Sequence, residues 1–98
     1  MSQRATNVAV VIPCFKVSKY ILSVIDGIEP YICKIYCIDD GCPEASGELI
    51  VEKVSDPRVR VLFNSENLGV GGAVLRGYEA AIEDKMDIVV KIDGDGQM

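Results

Sequence analysis

The chain has no histidine, few aromatics at 6%, and fewer basic than acidic residues, ten against fifteen. Without histidine a mixed Cys/His zinc site cannot be completed, and none of the cysteine pairs among Cys14, Cys33, Cys37 and Cys42 has the C-x-x-C spacing of a zinc knuckle or redox motif. The four cysteines are therefore read as ordinary reduced thiols. A net charge of -5 with scattered lysines and arginines excludes the basic footprint of a nucleic-acid binder. Phosphates, if bound, need backbone amides, single basic side chains or a metal ion. No window approaches ~20 uninterrupted apolar residues, and "MSQRATN" lacks the apolar region of a secretory signal. A cytosolic domain is expected, or one on the cytosolic face of a membrane. Repeats and low-complexity segments are also lacking.

What is present suffices for one domain with a packed core: 98 residues, 49% hydrophobic and 26% charged. Asn7 to Pro13, "NVAVVIP", is a β-branched run closed by proline, the pattern of a strand buried on both faces of a parallel sheet. Ile21, Leu22, Ile25 and Ile28 recur at helical intervals, with Ser18 placed to cap the N-terminus and Gly27 and Pro30 near the end. Lys34 to Asp40 is a second strand, and "GCPEASG" is turn chemistry leading into a short helix over Glu48 to Val54. Arg58 to Asn64 alternates charged and apolar residues, as a strand near a sheet edge does. Gly71 to Asp84 reads as a helix with Leu75, Tyr78 and Ile82 on one face and Val74 and Ala81 beside them, and Asp87 to Asp93 as the fourth strand. This βαβαβαβ order predicts an α/β fold: a parallel sheet of about four strands with helices on both faces.

In such a sheet the carboxyl ends of the strands open onto one rim, where ligands bind. Here those ends read "PCFK", "DDGC", "NSENLGVGG" and "DGDGQM". Asp93, Asp95 and Gln97 are oxygen donors at alternate positions; an extended chain turns them toward one point, as a Mg²⁺ or Mn²⁺ site requires, and a solvated acidic turn would look the same. Asp39 and Asp40 are adjacent, so one faces the crevice and the other the structure, either accepting from a ribose or base or bracing a helix N-terminus. The glycines at 69, 71 and 72 suit anion binding by free amides or close helix–sheet packing, and Arg76, further along that helix, suits a phosphate or the solvent. Phe15 suits stacking on a nucleobase or a place in the core.

Together these segments resemble the nucleotide-binding half of an inverting family 2 glycosyltransferase of the GT-A type. "VVIPCFK" resembles its strand and Pro-x-Tyr-Asn, "IDDGC" its Asp-Asp-Gly-Ser, "NLGVGGAVLRGYEAA" its Asn-x-Gly-x-x-x-Ala segment, and "KIDGDGQ" its Asp-x-Asp with a following Gln. The resemblance covers nearly the whole chain. It implies that Phe15 stacks on the base, that Asp40 bonds it, and that Asp39 sits behind Asp40 or braces the turn. Asp93 would contact the ribose or the metal, and Asp95 would hold Mg²⁺ or Mn²⁺ against the diphosphate of a UDP- or GDP-linked sugar. Gln97 matches a third metal ligand of the polyprenyl-phosphate sugar synthase branch.

Three positions depart from the pattern. Phe15 replaces tyrosine and keeps the ring, Lys16 replaces asparagine and adds a cation, and Cys42 replaces serine or threonine and weakens a turn hydrogen bond. The chain is expected to be the front part of such an enzyme, residues 1–98, cut after the Asp-x-Asp motif and inactive by itself, with the general base and acceptor site beyond Met98. Self-association through the free edge of the fourth strand is expected as well. Two other classes share the architecture: sugar-phosphate nucleotidyltransferases, whose glycine-rich signature "PCFKVSKY" lacks, and receiver-like signalling modules, whose acidic pair follows the first strand.

Overall fold

The computed structural model describes residues 6–95, so Gln97 lies outside the described residues. Seven elements alternate along the chain: β1 (Val8–Cys14), α1 (Ile21–Asp26), β2 (Lys34–Asp40), α2 (Ser46–Lys53), β3 (Val59–Asn64), α3 (Gly69–Glu83) and β4 (Ile88–Lys91). The strands form one sheet in the order β3-β2-β1-β4, and every pairing is parallel. This is the expected α/β architecture. β1 lies inside, in register with β2 from Ala9 opposite Lys34 to Cys14 opposite Asp39, and with β4 from Val8 opposite Ile88 to Val11 opposite Lys91. The charged alternation of β3 matches its place at one edge, and β4 is the other edge, with Ile88 and Val90 exposed.

The pleat of β1 sorts its side chains into two cores, as a period of two requires. Val10, Ile12 and Cys14 pack with Ile21 and Ile25 of α1 and Ile50 of α2, while Ala9 and Val11 pack with Tyr36, Ile38 and α3 on the opposite face. Helices therefore cover both faces.

Two local expectations are corrected. Ser18 does not cap α1: the helix begins at Ile21 after a turn closed by Tyr20 N–H to Val17 O at 2.9 Å, and the Ser18 hydroxyl donates to Glu44 Oε1 at 2.9 Å instead. With Tyr20 at the N-cap position, the first-turn amides that a capping oxygen would accept belong to a helix that starts past Ser18, and the Ser18 hydroxyl donates to the carboxylate across the loops. The buried face of α3 is also different from the large apolar stripe: Leu75 and Ile82 are exposed, and Ala73, Gly77, Ala80 and Ala81 face the sheet. The tight approach explains this choice. A Cβ added to Gly77 would lie 2.4 Å from Val11 Cγ1, so the helix backbone rests almost directly on β1. Gly69 and Gly71 face open space, and Gly72 lies tight against Leu68, where a Cβ would come within 2.7 Å, so the close packing on the sheet falls on Gly77. At the far end of the helix the buried ring of Tyr36 sends its hydroxyl to Asp84 Oδ2 at 2.5 Å, which ties α3 to β2.

Gly77→Ala should cost about 1–3 kcal/mol, because the methyl group must displace Val11 in a filled core. Gly71→Ala should be neutral or stabilise by up to about 1 kcal/mol, through helix propensity alone. Urea unfolding of the two variants tests this pair; equal midpoints would contradict the packing assignment.

Candidate functional site

The strand order reverses beside β1, where β2 lies on one side and β4, reached by the crossover through α3, lies on the other. A crevice at the carboxyl ends is the geometric consequence. A cleft of about 310 Å³ opens there, and Phe15, Asp40, Asp93 and Asp95 line it together, joined by Asn67 from the loop before α3 and Gly69 and Val70 from the start of that helix.

Its floor depends on the end of β2. Asp39 and Asp40 are both buried, at 4% and 3% exposure, and point to opposite sides of the sheet. Buried carboxylates need donors, and each finds two. Asp39 accepts Cys42 N–H on Oδ1 and Gly47 N–H on Oδ2, both at 2.8 Å. It thereby closes the turn and caps α2, whose own N-cap residue, Ala45, has no side chain to offer. Gly47 admits this contact because a Cβ there would lie 2.7 Å from Asp39 Oδ2. Asp39 is thus a brace behind the cleft and not part of its lining. Asp40 takes the other side: Oδ1 accepts Asn64 Nδ2 and Leu68 N–H, each at 2.8 Å, which fastens the β3–α3 loop to the cleft.

Phe15 is 39% exposed at the mouth, with Lys16 Nζ 5.5 Å from its ring centroid. The ring therefore already carries a cation on one face. Across the cleft, Gly94 is buried against Pro13 O and Val17, where a Cβ would come within 3.2 Å of either. That contact draws the segment after β4 over the end of β1 and presents Asp93 and Asp95 at the rim. Lys91 Nζ donates to Asp93 Oδ1.

Arg76 is not brought to the cleft. Its guanidinium donates to Phe63 O and Asn64 Oδ1, bracing the end of β3. Asn64 then connects Arg76 to Asp40, so Arg76 acts on the cleft only through that side chain. Sequence reading missed three contributors: Asn64, Asn67, whose Oδ1 accepts Gly69 N–H at 2.8 Å, and Lys91. Asn67 opens the "NLG" segment, and Lys91 shares the alternation of Asp93, so both had a signal. The role of Asn64 emerges only from the pairing of β2 with β3.

The donor set fits a hard divalent cation in part. Asp93 and Asp95 supply carboxylate oxygens, and Mg²⁺ is commonly held by one or two carboxylates together with phosphate oxygens. Among the described residues no group of three or more His, Cys, Asp or Glu side chains forms a cage for a metal. The open, two-carboxylate arrangement therefore suits a cation that arrives with a phosphate ligand rather than a closed structural ion.

Cys42 does more than its place in a turn suggested. Lys16 N–H donates to its Sγ at 3.1 Å, linking the loop after β1 to the loop after β2, and the Ser46 hydroxyl lies 3.2 Å from the same sulfur. Partial burial pushes the thiol up, but hydrogen bonds from Ser46 and from the backbone of Lys16, Ser46 and Glu44 outweigh it and hold Cys42 below the usual thiol range. Cys14 is the opposite case, raised by its hydrogen bond with Cys37 and by burial.

Comparison with known proteins gives a consistent result. The family model described as "Glycosyl transferase family 2" matches residues 9–98. The chain is 32% identical over 63 residues to the undecaprenyl-phosphate mannosyltransferase of Micrococcus luteus, covering 63% of this chain and 26% of that protein. It is 34% identical over 64 residues to the polyprenol monophosphomannose synthase of Mycolicibacterium smegmatis, covering 63% of this chain and 24% of that protein. It is 31% identical over 102 aligned positions to the undecaprenyl-phosphate 4-deoxy-4-formamido-L-arabinose transferase of Pectobacterium carotovorum, covering 93% of this chain and 29% of that protein. The chain thus spans less than a third of the length of each of these curated relatives.

Alkylation provides a check on the local electrostatics. Iodoacetamide should modify Cys42 at a lower pH than it modifies a small-molecule thiol, since the thiolate is the nucleophile and its formation is favoured here. Ser46→Ala should move that onset upward, while the buried Cys14 and Cys37 stay unmodified in the folded chain. Peptide mass spectrometry reads all of these sites; a Cys42 profile that tracks the free thiol would refute the hydrogen-bond assignment.

Proposed function

This chain belongs to glycosyl transferase family 2, and from that premise we propose that it forms the donor-binding part of an inverting, metal-dependent glycosyltransferase. The supporting observation is the single cleft that gathers Phe15, Asp40, Asp93 and Asp95 at the carboxyl ends of β1, β2 and β4. Family membership sets aside the nucleotidyltransferase and receiver-like alternatives.

In this reading the base of a UDP- or GDP-linked sugar lies against Phe15, displacing or sharing the face that Lys16 covers. Asp40 accepts from the base with the carboxylate edge left over from Asn64 and Leu68. The diphosphate runs toward Asp93 and Asp95, past the first turn of α3, where Gly69 and Val70 line the cleft and the positive end of the helix dipole favours an anion. A Mg²⁺ or Mn²⁺ ion held by Asp93 and Asp95 would neutralise the charge that gathers on the leaving diphosphate. Gln97, next in the same alternation, would be a further ligand. The residues of this chain thus bind and orient the donor, and the acceptor's attack comes from outside the described residues.

For the acceptor we propose a polyprenyl phosphate, because the three relatives are named for undecaprenyl-phosphate or polyprenol substrates. Such an acceptor attacks through a phosphate oxygen that is already largely anionic at neutral pH, which relaxes the need for a general base. A lipid-linked acceptor also fits a domain working at the cytosolic face of a membrane, although no described helix is long and apolar enough to cross one. The exposed β4 edge, with Ile88 and Val90 outward, would pair with another strand, either of the same protein or of a second copy.

Calorimetric titration with UDP and GDP, with Mn²⁺ and with chelator, tests the donor site. Binding should require Mn²⁺ and weaken about tenfold or more in Asp95→Asn, the loss of one charged contact. Nucleotide binding indifferent to both metal and Asp95 would overturn the proposal.

A further inference from the structure

The first carboxylate of the acidic pair already has a cation. Lys91 is the last residue of β4 and Asp93 follows two residues later, and the Lys91 ammonium donates to Asp93 Oδ1. Both side chains are open to water, at 36% and 41% exposure, so this ion pair is weak and easily exchanged. A divalent ion approaching Asp93 competes with the ammonium for the same carboxylate.

We propose that Lys91 is a resident counter-ion of Asp93 that a divalent cation must displace, so that Lys91 sets the affinity of the chain for its metal. The inference rests on the reading of Asp93 and Asp95 as metal ligands and adds a positioning residue that the acidic motif does not contain. Without metal, Lys91 keeps Asp93 partly neutralised at the rim. With metal, the ammonium is released beside the place proposed for the diphosphate, so its positive charge stays at the cleft.

Mn²⁺ binding followed by the electron paramagnetic resonance signal of the free ion tests this without any turnover. It is measured for the unmodified chain and for Lys91→Met, Lys16→Met and Asp95→Asn. Lys91→Met should tighten Mn²⁺ about three- to fivefold, the size of an exposed ion pair. Lys16→Met removes the same charge from the cleft mouth without touching Asp93 and should change binding by less than about twofold, since exposed charges that are not in contact are screened. Equal tightening in the two lysine variants would reduce the effect to net charge and overturn the proposal. Binding that is lost in Asp95→Asn yet unchanged in Lys91→Met would overturn the role of Lys91 and leave the metal site standing. Absence of Mn²⁺ binding in every protein would overturn both.

Discussion

Two neighbouring buried carboxylates at the end of β2 hold the molecule's working edge together. Asp39 and Asp40 cannot be left without donors in the interior, and the chain on either side is shaped to supply them. The turn after β2 and the Gly47 amide of α2 fold onto Asp39, while Asn64 and the amide of Leu68 fold onto Asp40. One strand end thereby fixes two loops, and because adjacent residues on a strand face opposite ways, it fixes them on opposite faces of the sheet. Cys42 extends the same bracing to the loop after β1 through the amide of Lys16. The cleft is thus built chiefly by hydrogen bonds that lie behind its lining.

Close packing of α3 completes the arrangement. Its small residues let the helix settle onto β1, with Gly77 against Val11, and this places the first turn of the helix at the reversal of strand order. A helix seated on large side chains would stand further from the sheet and carry its N-terminus away from Asp40. Gly94 does for β4 what Gly77 does for α3, letting one backbone approach another so that Asp93 and Asp95 come to the rim over the end of β1. Side chains too small to contribute contacts of their own decide where the larger ones stand.

Much of this was legible in the chain. The strands at "VAVVIP" and "KIYCIDD" stand out because a strand covered on both faces must be apolar along its middle, as Ile35 to Ile38 are, and β3 declares its edge position by alternating charge. The acidic and aromatic residues of the cleft follow from the rule that parallel strands present their carboxyl ends together. The face of α3 was misread because Leu75 and Ile82 dominate any count of apolar residues, whereas the helix buries alanine and glycine. Ser18 was misplaced because a capping hydroxyl and one that reaches Glu44 look identical until the two loops are brought together.

By itself, the order and polarity of the residues determined the element sequence, the parallel sheet and the rim to which Phe15, Asp40, Asp93 and Asp95 belong, since periodicity and chain connectivity are local and directional properties. Only the tertiary structure decided that Asp39 braces while Asp40 faces the cleft, that Arg76 supports β3 through Phe63 and Asn64, and that Lys91 occupies Asp93. Each of those outcomes is a choice among partners far apart in sequence or equally within reach. For Asp39 and Asp40 the choice is settled by which buried polar groups must be satisfied at once, and for the exposed Lys91 and Asp93 by which charges the folded chain leaves side by side, conditions that exist only after the chain has closed.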